Sequence, residues 1–435
     1  MQLASWETYM TETIIEKRAR LLGPNFSTFY KNPVHIVRGE GVWLWDNNGE
    51  KYLDCYNNVP HVGHCHPHVV EAITKQAKLL NTHTRYLHEG ILDYVERLIS
   101  KHHEGIESAI MVCSGSEAND IALRMAEAQT GKKGIIVTDS TYHGNTSAVS
   151  QLSYGRNAIG GVGDHIRYVR TPNSLSDNKE NSVSEAEHFV QNVKLAIGSL
   201  EESGHGVSAL LICPYFANEG FPTLEYGFLD KAVRQVRSAG GIIIADEVQP
   251  GFGRLGTNWW GYQKIGLIPE VVTMGKPMAN GHPVASVVTS AEIIKSFRQA
   301  FGYFNTFGGN PVSCAAAAAT LDVIEKDKLT ENALSVGDYA LNGLRELKKE
   351  FPQIKQVRGS GLFFGAEMCG KDNIPLTQYA EKIAEKMREK RVLLSVLGPN
   401  RNTLKIRPPM VFSKSNADHL LDTLRSVMKE VECEF

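Results

Sequence analysis

From Ala109 onward, short apolar runs alternate with longer segments whose apolar residues recur at helical spacing. The runs are rich in Val and Ile and are bounded by Gly, Ser or acidic residues, as in strands of a sheet covered on both faces. In chain order they are AIMVC, IIVTDS, IRYVR, LLICPY, GIIIADEV, VVTMGK and ASVVTS. Strands separated by helices predict an α/β domain with a doubly wound, mostly parallel sheet.

The two flanks of this region have a different pattern. Residues 1–23 have amphipathic spacing and predict a helix that stops at Gly23-Pro24. Alternating runs on either side of Asn48-Gly49 predict a β-hairpin. After about Leu329, short apolar runs at IKQVRG, LFFGAEM, VLLSV and LKIRPP predict a smaller α+β domain.

These patterns predict a division of the chain into three parts. Residues 1–60 form an N-terminal segment that joins the small domain, residues 61–328 form the large domain, and residues 329–435 form the small domain. The stretch 171–187 is rich in Ser, Asn and charged residues, and it predicts an exposed, mobile loop.

Two of the predicted strands end in groups with complementary chemistry. Residues 241–245 lead to Asp246, and residues 271–274 lead to Gly275 and Lys276. The carboxyl ends of parallel strands share one edge of the sheet, where ligands bind. A carboxylate can hold the proton of a pyridine nitrogen, and a lysine amine can bind an aldehyde covalently. The pair therefore indicates a pocket for a cofactor that carries both groups.

Composition narrows the class of protein. The chain has 435 residues and a formal net charge of −2, so no basic field indicates nucleic acid or an anionic membrane as a partner. No apolar run is long enough to cross a bilayer, and the N-terminal stretch lacks the apolar core of a secretory signal. Seven scattered cysteines indicate reduced thiols and a cytoplasmic location.

Three further motifs could complete the pocket. The sequence SGSE, with Gly115 and Ser116, lies at a strand–helix junction where backbone N–H groups suit a phosphate; an ordinary Ser114 N-cap is the alternative. Tyr142 follows the next strand and could stack on a flat cofactor or could simply be a core aromatic. The loop FNTFGGNP, with Thr306, could bind a phosphate, including one in a second subunit, or could only form a tight turn.

Two other motifs resemble sites of different classes but lack the required context. GFGRLG, at 251–256, follows the acidic residues instead of opening a helix after the first strand, so it does not predict a nicotinamide site. HVGHCHPH, at 61–68, is interrupted by Pro67 and has no second pair with zinc-like spacing. We therefore expect no metal, and a structural loop with one histidine near the substrate.

The motifs SGSEAND, YHG, IADEVQPGFGRLG, TMGKPMANGHPV and FNTFGGNP together resemble the class III, ornithine-type, aminotransferase family of pyridoxal-phosphate (PLP) enzymes. The resemblance implies PLP fold type I and a homodimer with active sites shared between subunits. By motif, the implied cofactor residues are Lys276 for the covalent link, Asp246 for the ring nitrogen, Gln249 near the ring hydroxyl, Gly115 and Ser116 for the phosphate, Tyr142 for stacking, and Thr306 for the phosphate of the other subunit.

The sequence departs from the common family pattern at two places. The arginine that grips a substrate carboxylate is replaced by Lys405, and Arg407 lies two positions later. Lys does not reproduce the bidentate grip of Arg. In the stretch CPYFANEG, Cys213 and Asn218 occupy the positions of two family glutamates, with Glu219 next to the second. Both departures point away from exchange between an amino acid and a keto acid.

The chain is most similar in these features to the ethanolamine-phosphate phospho-lyases and their aminophosphonate relatives. That resemblance implies elimination from a small 2-aminoethyl phosphate or phosphonate, with Lys276 as the base, and release of an aldehyde and ammonia. The substrate anion needs cationic or donor partners. The candidate residues are Arg85, His61, Arg407 and Lys405.

Two other functions stay open at this point. A class III aminotransferase would use the same Lys276 and Asp246. A non-catalytic, cofactor-binding regulatory protein is disfavoured because Lys276, Asp246 and Thr306 are all present and no DNA-binding segment is appended.

Overall fold

The computed structural model describes residues 12–23, 28–153, 161–172 and 184–432. Helices fall where the apolar spacing is helical, and several begin at a Ser, Thr or Asn N-cap, as expected from the hydrogen-bonding capacity of those side chains. The helices are α1 Ile14–Leu22, α2 Pro67–Leu79, α3 Glu89–Ile99, α4 Gly115–Thr130, α5 Ser147–Ser150, α6 Glu185–Glu202, α7 Asp230–Ser238, α8 Gly261–Lys264, α9 Ala291–Ala300, α10 Pro311–Lys326, α11 Leu329–Glu350, α12 Thr377–Glu389 and α13 Lys414–Glu432.

The strands fall on the apolar and β-branched runs. They are β1 Ile36–Glu40, β2 Trp43–Asp46, β3 Lys51–Asp54, β4 Ser108–Val112, β5 Gly134–Thr138, β6 Ile166–Val169, β7 Val207–Ile212, β8 Ile242–Asp246, β9 Val271–Met274, β10 Ala285–Thr289, β11 Ile354–Ser360, β12 Phe363–Met368, β13 Val392–Leu393, β14 Ser395–Leu397 and β15 Thr403–Ile406. Short 3-10 turns occur at Lys276–Ala279 and Lys371–Asn373.

The large sheet has seven strands in the order β4-β10-β9-β8-β7-β5-β6. Both of its faces are covered, as shown by β8, where Ile242 and Ile244 belong to one apolar core while Ile243 and Ala245 belong to the core on the opposite face. Burial of each large aliphatic side chain contributes roughly 1.5–3 kcal/mol to folding. The predicted doubly wound, mostly parallel sheet is confirmed.

One strand of this sheet runs against the others. β10, the run ASVVTS, pairs antiparallel with both β4 and β9, whereas β5, β6, β7, β8 and β9 are joined by parallel pairs. Only residues 275–284 connect β9 to β10. A parallel connection needs a crossover of about a dozen residues or more, so this short segment can only reverse the chain.

The N-terminal hairpin and the C-terminal strands share a connection. The run VLLSV divides into β13, which pairs with β3 of the N-terminal sheet, and β14, which pairs with β15 of the C-terminal sheet. The hydroxyl of Tyr30 also donates to the carbonyl of Leu394 between them. These contacts agree with an N-terminal segment attached to the C-terminal part, while the division into domains stays a prediction.

The last residue of α1 is Leu22 and Gly23 is its C-cap, as predicted, while residues 1–11 and Pro24 lie outside the described residues. One other predicted boundary requires correction. The loop predicted over 171–187 is shorter at both ends, because Thr171 is buried and bonds to Asp139, while α6 begins at Glu185. Residues 173–183 of that predicted loop lie outside the described residues.

Candidate active site

A cavity of about 340 Å³ lies at the carboxyl edge of the large sheet. β4, β5, β7, β8 and β9 all end at this edge, so the residues that follow them converge there. The cavity is lined by residues that include Gly115, Ser116, Tyr142, Cys213, Asn218, Asp246, Gln249, Lys276 and His282. Six of the predicted cofactor residues are therefore brought together, and only Thr306 is not among the lining residues.

Asp246 ends β8 as a buried carboxylate with three donors. Its Oδ2 accepts hydrogen bonds from Nδ1 of His143 at 2.7 Å and Nδ2 of Asn119 at 3.0 Å, and its Oδ1 accepts one from the Val248 amide at 3.0 Å. Burial raises the pKa of Asp246, but these bonds and the His143 charge outweigh it, so the pKa is below its ordinary value. The group therefore stays ionised, and one of its roughly four acceptor positions remains free.

Lys276 follows β9 and begins the 3-10 turn that leads away from the sheet. Its φ of 30° lies in the left-handed region, which costs a non-glycine residue of the order of 1–3 kcal/mol and is typical of functional positions. The side chain is open to the cavity but otherwise surrounded by protein. Desolvation and the nearby Arg407 charge lower the pKa of Lys276 to about 8, so a usable fraction of the amine is unprotonated near neutral pH.

The first turn of α4 forms one wall of the cavity. Ser114 is the N-cap and forms a reciprocal capping box with Glu117, so the N-cap interpretation is confirmed. That cap leaves other first-turn N–H groups without a helical acceptor, which is the arrangement that binds phosphates. A Cβ on Gly144 would lie 2.6 Å from Oγ of Ser116, so only glycine allows the loop after β5 to approach the helix this closely.

Two cationic side chains from the C-terminal strands and Asn218, which follows β7, meet at Gln249. Lys405 lies on β15 and Arg407 two residues later, which places both on one side of the strand. Nζ of Lys405 donates to Oε1 of Gln249 at 3.0 Å, and Nη1 of Arg407 donates to the same oxygen. Nε2 of Gln249 then donates to Asn218 at 3.0 Å. Gln249 therefore connects the cavity to two buried cations.

Neither cation has a carboxylate partner within ion-pair distance among the described residues. Desolvation is the largest cause of the lowered pKa of both groups, and it brings the pKa of Arg407 to about 10. The charges of Arg407 and Lys276 lower the pKa of Lys405 further, well below its ordinary value. The site therefore holds three amino or guanidino groups whose positive charges disfavour one another.

The remaining predicted residues occupy two different places. Tyr142 is half-buried at the cavity wall, and its hydroxyl donates to Asn145. Thr306 is exposed in the loop before α10, and Arg85 is exposed with its guanidinium 3.8 Å from the Phe304 ring centre. Thr306 and Arg85 thus lie on one surface region, outside the cavity of this chain.

The structure argues against His61 as a substrate ligand. The residue is fully buried; Nε2 lies 2.8 Å from the carbonyl of Phe252, and Nδ1 lies 3.1 Å from Nη2 of Arg254. Arg254 can only donate, so Nδ1 must accept and Nε2 must carry the proton. Desolvation and the Arg254 charge lower the pKa of His61 well below its ordinary value. His61 is therefore a neutral, buried side chain that packs at the start of the loop 61–68.

The hydrogen-bond partners of Asp246 were not among the predicted site residues. His143 and Asn119 lie inside the motifs YHG and SGSEAND, but only their neighbours were assigned roles. Their positions could have indicated this role, because Asn119 lies in the helix after β4 and His143 in the segment after β5. Both strands end at the edge of the sheet where Asp246 lies. The residue Glu219, considered only as a displaced family glutamate, also turns away from the cavity: it accepts from Thr138 at 2.8 Å.

These residues fit pyridoxal phosphate. Asp246 offers an ionised carboxylate with a free acceptor position, Lys276 offers an amine of lowered pKa, and Gly115 and Ser116 offer the amide groups of a helix start. A Cβ on Gly115 would lie 3.0 Å from Val248, so the wall is shaped closely around the backbone there. When bound, the cofactor supplies an electron sink; the protein supplies position, charge and a base.

The family model described as aminotransferase class-III matches residues 27–428. The chain belongs to the class III aminotransferase family. It is 40% identical to an alanine–glyoxylate aminotransferase 2-like protein of Drosophila melanogaster, over 98% of this chain and 90% of that protein. It is 34% identical to ethanolamine-phosphate phospho-lyase homolog 1 of Caenorhabditis elegans, over 96% and 93%.

Among solved structures, this chain is similar to a phospholyase from Arthrobacter in complex with phosphoethanolamine. The TM-score is 0.93 at 42% identity, covering 96% of this chain and 99% of that chain. The predicted family, PLP fold type I and PLP as cofactor are confirmed. In the described part of the chain, no helix is long and apolar enough to cross a membrane. The cytoplasmic location stays a prediction.

Proposed function

We propose that this class III enzyme is a PLP-dependent lyase that eliminates the β substituent of a small 2-aminoethyl phosphate or phosphonate. The observation that carries the proposal is the pair Lys405 and Arg407, two buried cations without a carboxylate partner in the described chain. Their mutual repulsion would be relieved by a bound dianion, which favours the charged form of both. A singly charged carboxylate would relieve less of it.

In this proposal each residue has one step. Asp246 would hold the proton on the ring nitrogen of the cofactor, which would supply the electron sink, and Lys276 would take a proton from the carbon that bears the substrate amine. Lys405 and Arg407 hold the phosphate or phosphonate on the other side of Gln249. Loss of phosphate or hydroxide, followed by hydrolysis, then gives an aldehyde and ammonia.

The phospholyase relative with phosphoethanolamine supports this proposal, whereas the aminotransferase name of the Drosophila relative supports the alternative, a class III aminotransferase. The test supplies phosphoethanolamine and 1-hydroxy-2-aminoethylphosphonate separately and measures ammonia and inorganic phosphate. We expect ammonia from one of them, with phosphate only if phosphate is the leaving group. Alanine–pyruvate exchange without ammonia from either substrate would establish the aminotransferase instead.

Replacing Arg407 with glutamine tests the anion site. Loss of a charge-assisted hydrogen bond costs about 1.5–3 kcal/mol, or roughly a 10- to 150-fold rise in KM. If phosphate leaves, kcat should also fall, because Arg407 then neutralises charge that develops on the leaving group. If hydroxide leaves, Arg407 binds the phosphonate with the same strength in the ground state and in the transition state. In that case kcat should change little.

The matched control for this variant is Arg401→Ala, which removes an exposed arginine that pairs with Glu381 near the same strand. Steady-state kinetics should show no change for the control. An Arg407→Gln enzyme with the KM of the unaltered enzyme would remove Arg407 from the anion site.

We also propose that two copies of the chain share their active sites. Thr306 and Arg85 lie in exposed loops that contact one another through Phe304, and Leu87 beside them is 99% exposed. An apolar surface of this kind is typical of a protein contact. A second copy would cover it and bring Thr306 to the neighbouring cavity. A monomeric mass by light scattering at assay concentration would contradict the shared site.

A further inference from the structure

The loop GFGRLG, at 251–256, has no role in the reaction described above, yet its Arg254 is one of the largest fully buried side chains of the described chain. Nη1 of Arg254 donates to the carbonyl of Leu362 at 2.9 Å and to the carbonyl of Pro408 at 2.6 Å. The amide of Leu362 donates back to the carbonyl of Arg254 at 2.9 Å. One side chain from the loop after β8 therefore holds two points of the C-terminal strands.

These two points flank the predicted anion site. Leu362 directly precedes Phe363, the first residue of β12, and Pro408 directly follows Arg407, just beyond the end of β15. The two strands pair antiparallel, so the start of β12 lies beside the end of β15. Arg254 therefore fixes the peptide on one side of Phe363 and the peptide on one side of Arg407 with a single nitrogen.

The ring of Phe363 is a neighbour of both cations that lack a carboxylate partner. Its centre lies 5.3 Å from Nζ of Lys405 and 5.4 Å from Cζ of Arg407. A cation within about 6 Å of an aromatic ring centre is attracted by the ring quadrupole. The position of Phe363 therefore influences where both cations lie, and Arg254 holds the peptide from which that ring projects.

Glycines on both sides of the contact allow the loop to approach so closely. A Cβ on Gly361, which has a φ of 54°, would lie 2.4 Å from the carbonyl of Arg254. A Cβ on Gly253, which has a φ of 75°, would lie 2.2 Å from Oγ1 of Thr330 on α11. Only glycine combines this backbone conformation with the space available. The motif that resembles a nucleotide loop therefore packs the large sheet against the C-terminal strands.

We propose that Arg254 is a positioning residue for the substrate anion, because it fixes Phe363 and Arg407 against the edge of the large sheet and so aims both cations at one anionic group. The inference rests on the proposed function, which takes Lys405 and Arg407 as the anion site. Gln249 holds the charged ends of these two side chains, whereas Arg254 holds the backbone beside them. Arg254 is fully buried, so it acts through these neighbours and not on the substrate.

The hydrogen bonds of Arg254 agree with a positioning role. Among the described residues, no carboxylate lies within ion-pair distance of its guanidinium, and Nη2 donates to Nδ1 of His61 at 3.1 Å. The amide of Met410 donates to the carbonyl of His61 at 2.7 Å, which attaches the segment after Arg407 a second time. The donors of Arg254 are therefore engaged by groups that hold this segment in place.

The test titrates inorganic phosphate into the full-length, PLP-loaded enzyme and measures its dissociation constant by calorimetry, which needs no turnover. Arg254→Met removes every donor while keeping most of the length of the side chain. We expect the dissociation constant to rise about 10-fold, the lower end of the range for losing the Arg407 hydrogen bond itself. The absorbance of bound PLP should stay unchanged, because Arg254 acts on the anion site and not on the cofactor.

Arg358→Met is the matched control. Arg358 is another buried arginine of the same C-terminal sheet, 7% exposed, and its Nη1 donates to Glu367 at 2.9 Å instead of to the peptides beside Phe363 and Arg407. We expect a lower midpoint of thermal unfolding with unchanged phosphate affinity. Should Arg254→Met fail to fold, Arg254→Lys keeps the charge but loses the planar fork, and it should weaken phosphate binding in the same direction.

A double variant separates positioning from a general loss of stability. Because Arg254 acts through Arg407, Arg254→Met combined with Arg407→Gln should bind phosphate about as weakly as Arg407→Gln alone, whereas independent effects would multiply. Multiplied losses, unchanged affinity in the Arg254 variants, or an equal loss in Arg358→Met would overturn this proposal alone. Unchanged affinity in Arg407→Gln would refute the anion site, and with it both this proposal and the proposed function.

Discussion

Replacing Lys276 with alanine is expected to reduce turnover of every amine substrate by about 10⁴-fold or more, the upper part of the range for loss of a general base. In the proposed function the same amine holds the cofactor and takes the substrate proton, so one substitution would remove both functions. Its pKa of about 8 is set by desolvation and by Arg407 and cannot be reproduced by a surface lysine. The absorbance of the bound cofactor near the edge of the visible range should disappear as well.

Stopped-flow absorbance on mixing cofactor-free protein with PLP, followed by an ammonia assay, measures both effects. Lys295→Ala is the control, since Lys295 is an exposed lysine on α9. A Lys276→Ala protein that still develops the absorbance band, or that retains turnover equal to Lys295→Ala, would show that another amine binds the cofactor.

Replacing Asp246 with asparagine is expected to lower turnover by about 10³-fold, because a neutral amide cannot keep the ring nitrogen protonated. The substitution also disturbs the network. Both carboxylate oxygens accept N–H donors from His143, Asn119 and Val248, so an amide NH₂ meets a donor in either orientation. A lower affinity for PLP and a lower midpoint of thermal unfolding should therefore accompany the kinetic loss.

Thr273→Val separates these two effects. Thr273 donates to Oδ1 of Asn119 at 2.7 Å, so valine weakens the same network while leaving the Asp246 carboxylate in place. We expect reduced thermal stability with turnover within a few-fold of the unaltered enzyme. If Asp246→Asn and Thr273→Val reduce turnover equally, Asp246 acts through stability and not through the cofactor ring.

The sequence was most informative where one physical rule determined the outcome. Buried parallel strands must be apolar and short, which placed β8 within one residue and β9 to the residue, whereas β7 begins and ends three residues before the predicted run LLICPY. Because parallel strands end at one edge, it followed that Asp246 and Lys276 would share a pocket. The same reasoning placed Gly115 and Tyr142 in that pocket. Their roles toward the cofactor stay predictions.

Other features depended on three-dimensional neighbours that no local pattern encodes. His61 lies in a histidine-rich motif, and only the fold shows that Arg254 and the carbonyl of Phe252 occupy both ring nitrogens. The reversed direction of β10 depends on the length of the connection after Lys276. The contact between His143 and Asp246 joins positions 103 residues apart, and spacing alone gave no sign of it.

The run VLLSV is divided between two sheets, as β13 and β14, and this division affects the order in which the chain folds. β3 cannot complete its pairing until β13 has been synthesised. Likewise, the hydroxyl of Tyr30 cannot donate to the carbonyl of Leu394 until that residue, 364 positions later, has been synthesised. Closing so long a loop is entropically costly and slow. We therefore expect the large sheet to form first, with the hairpin docking as a late folding step, so substitutions at β13 should mainly accelerate unfolding.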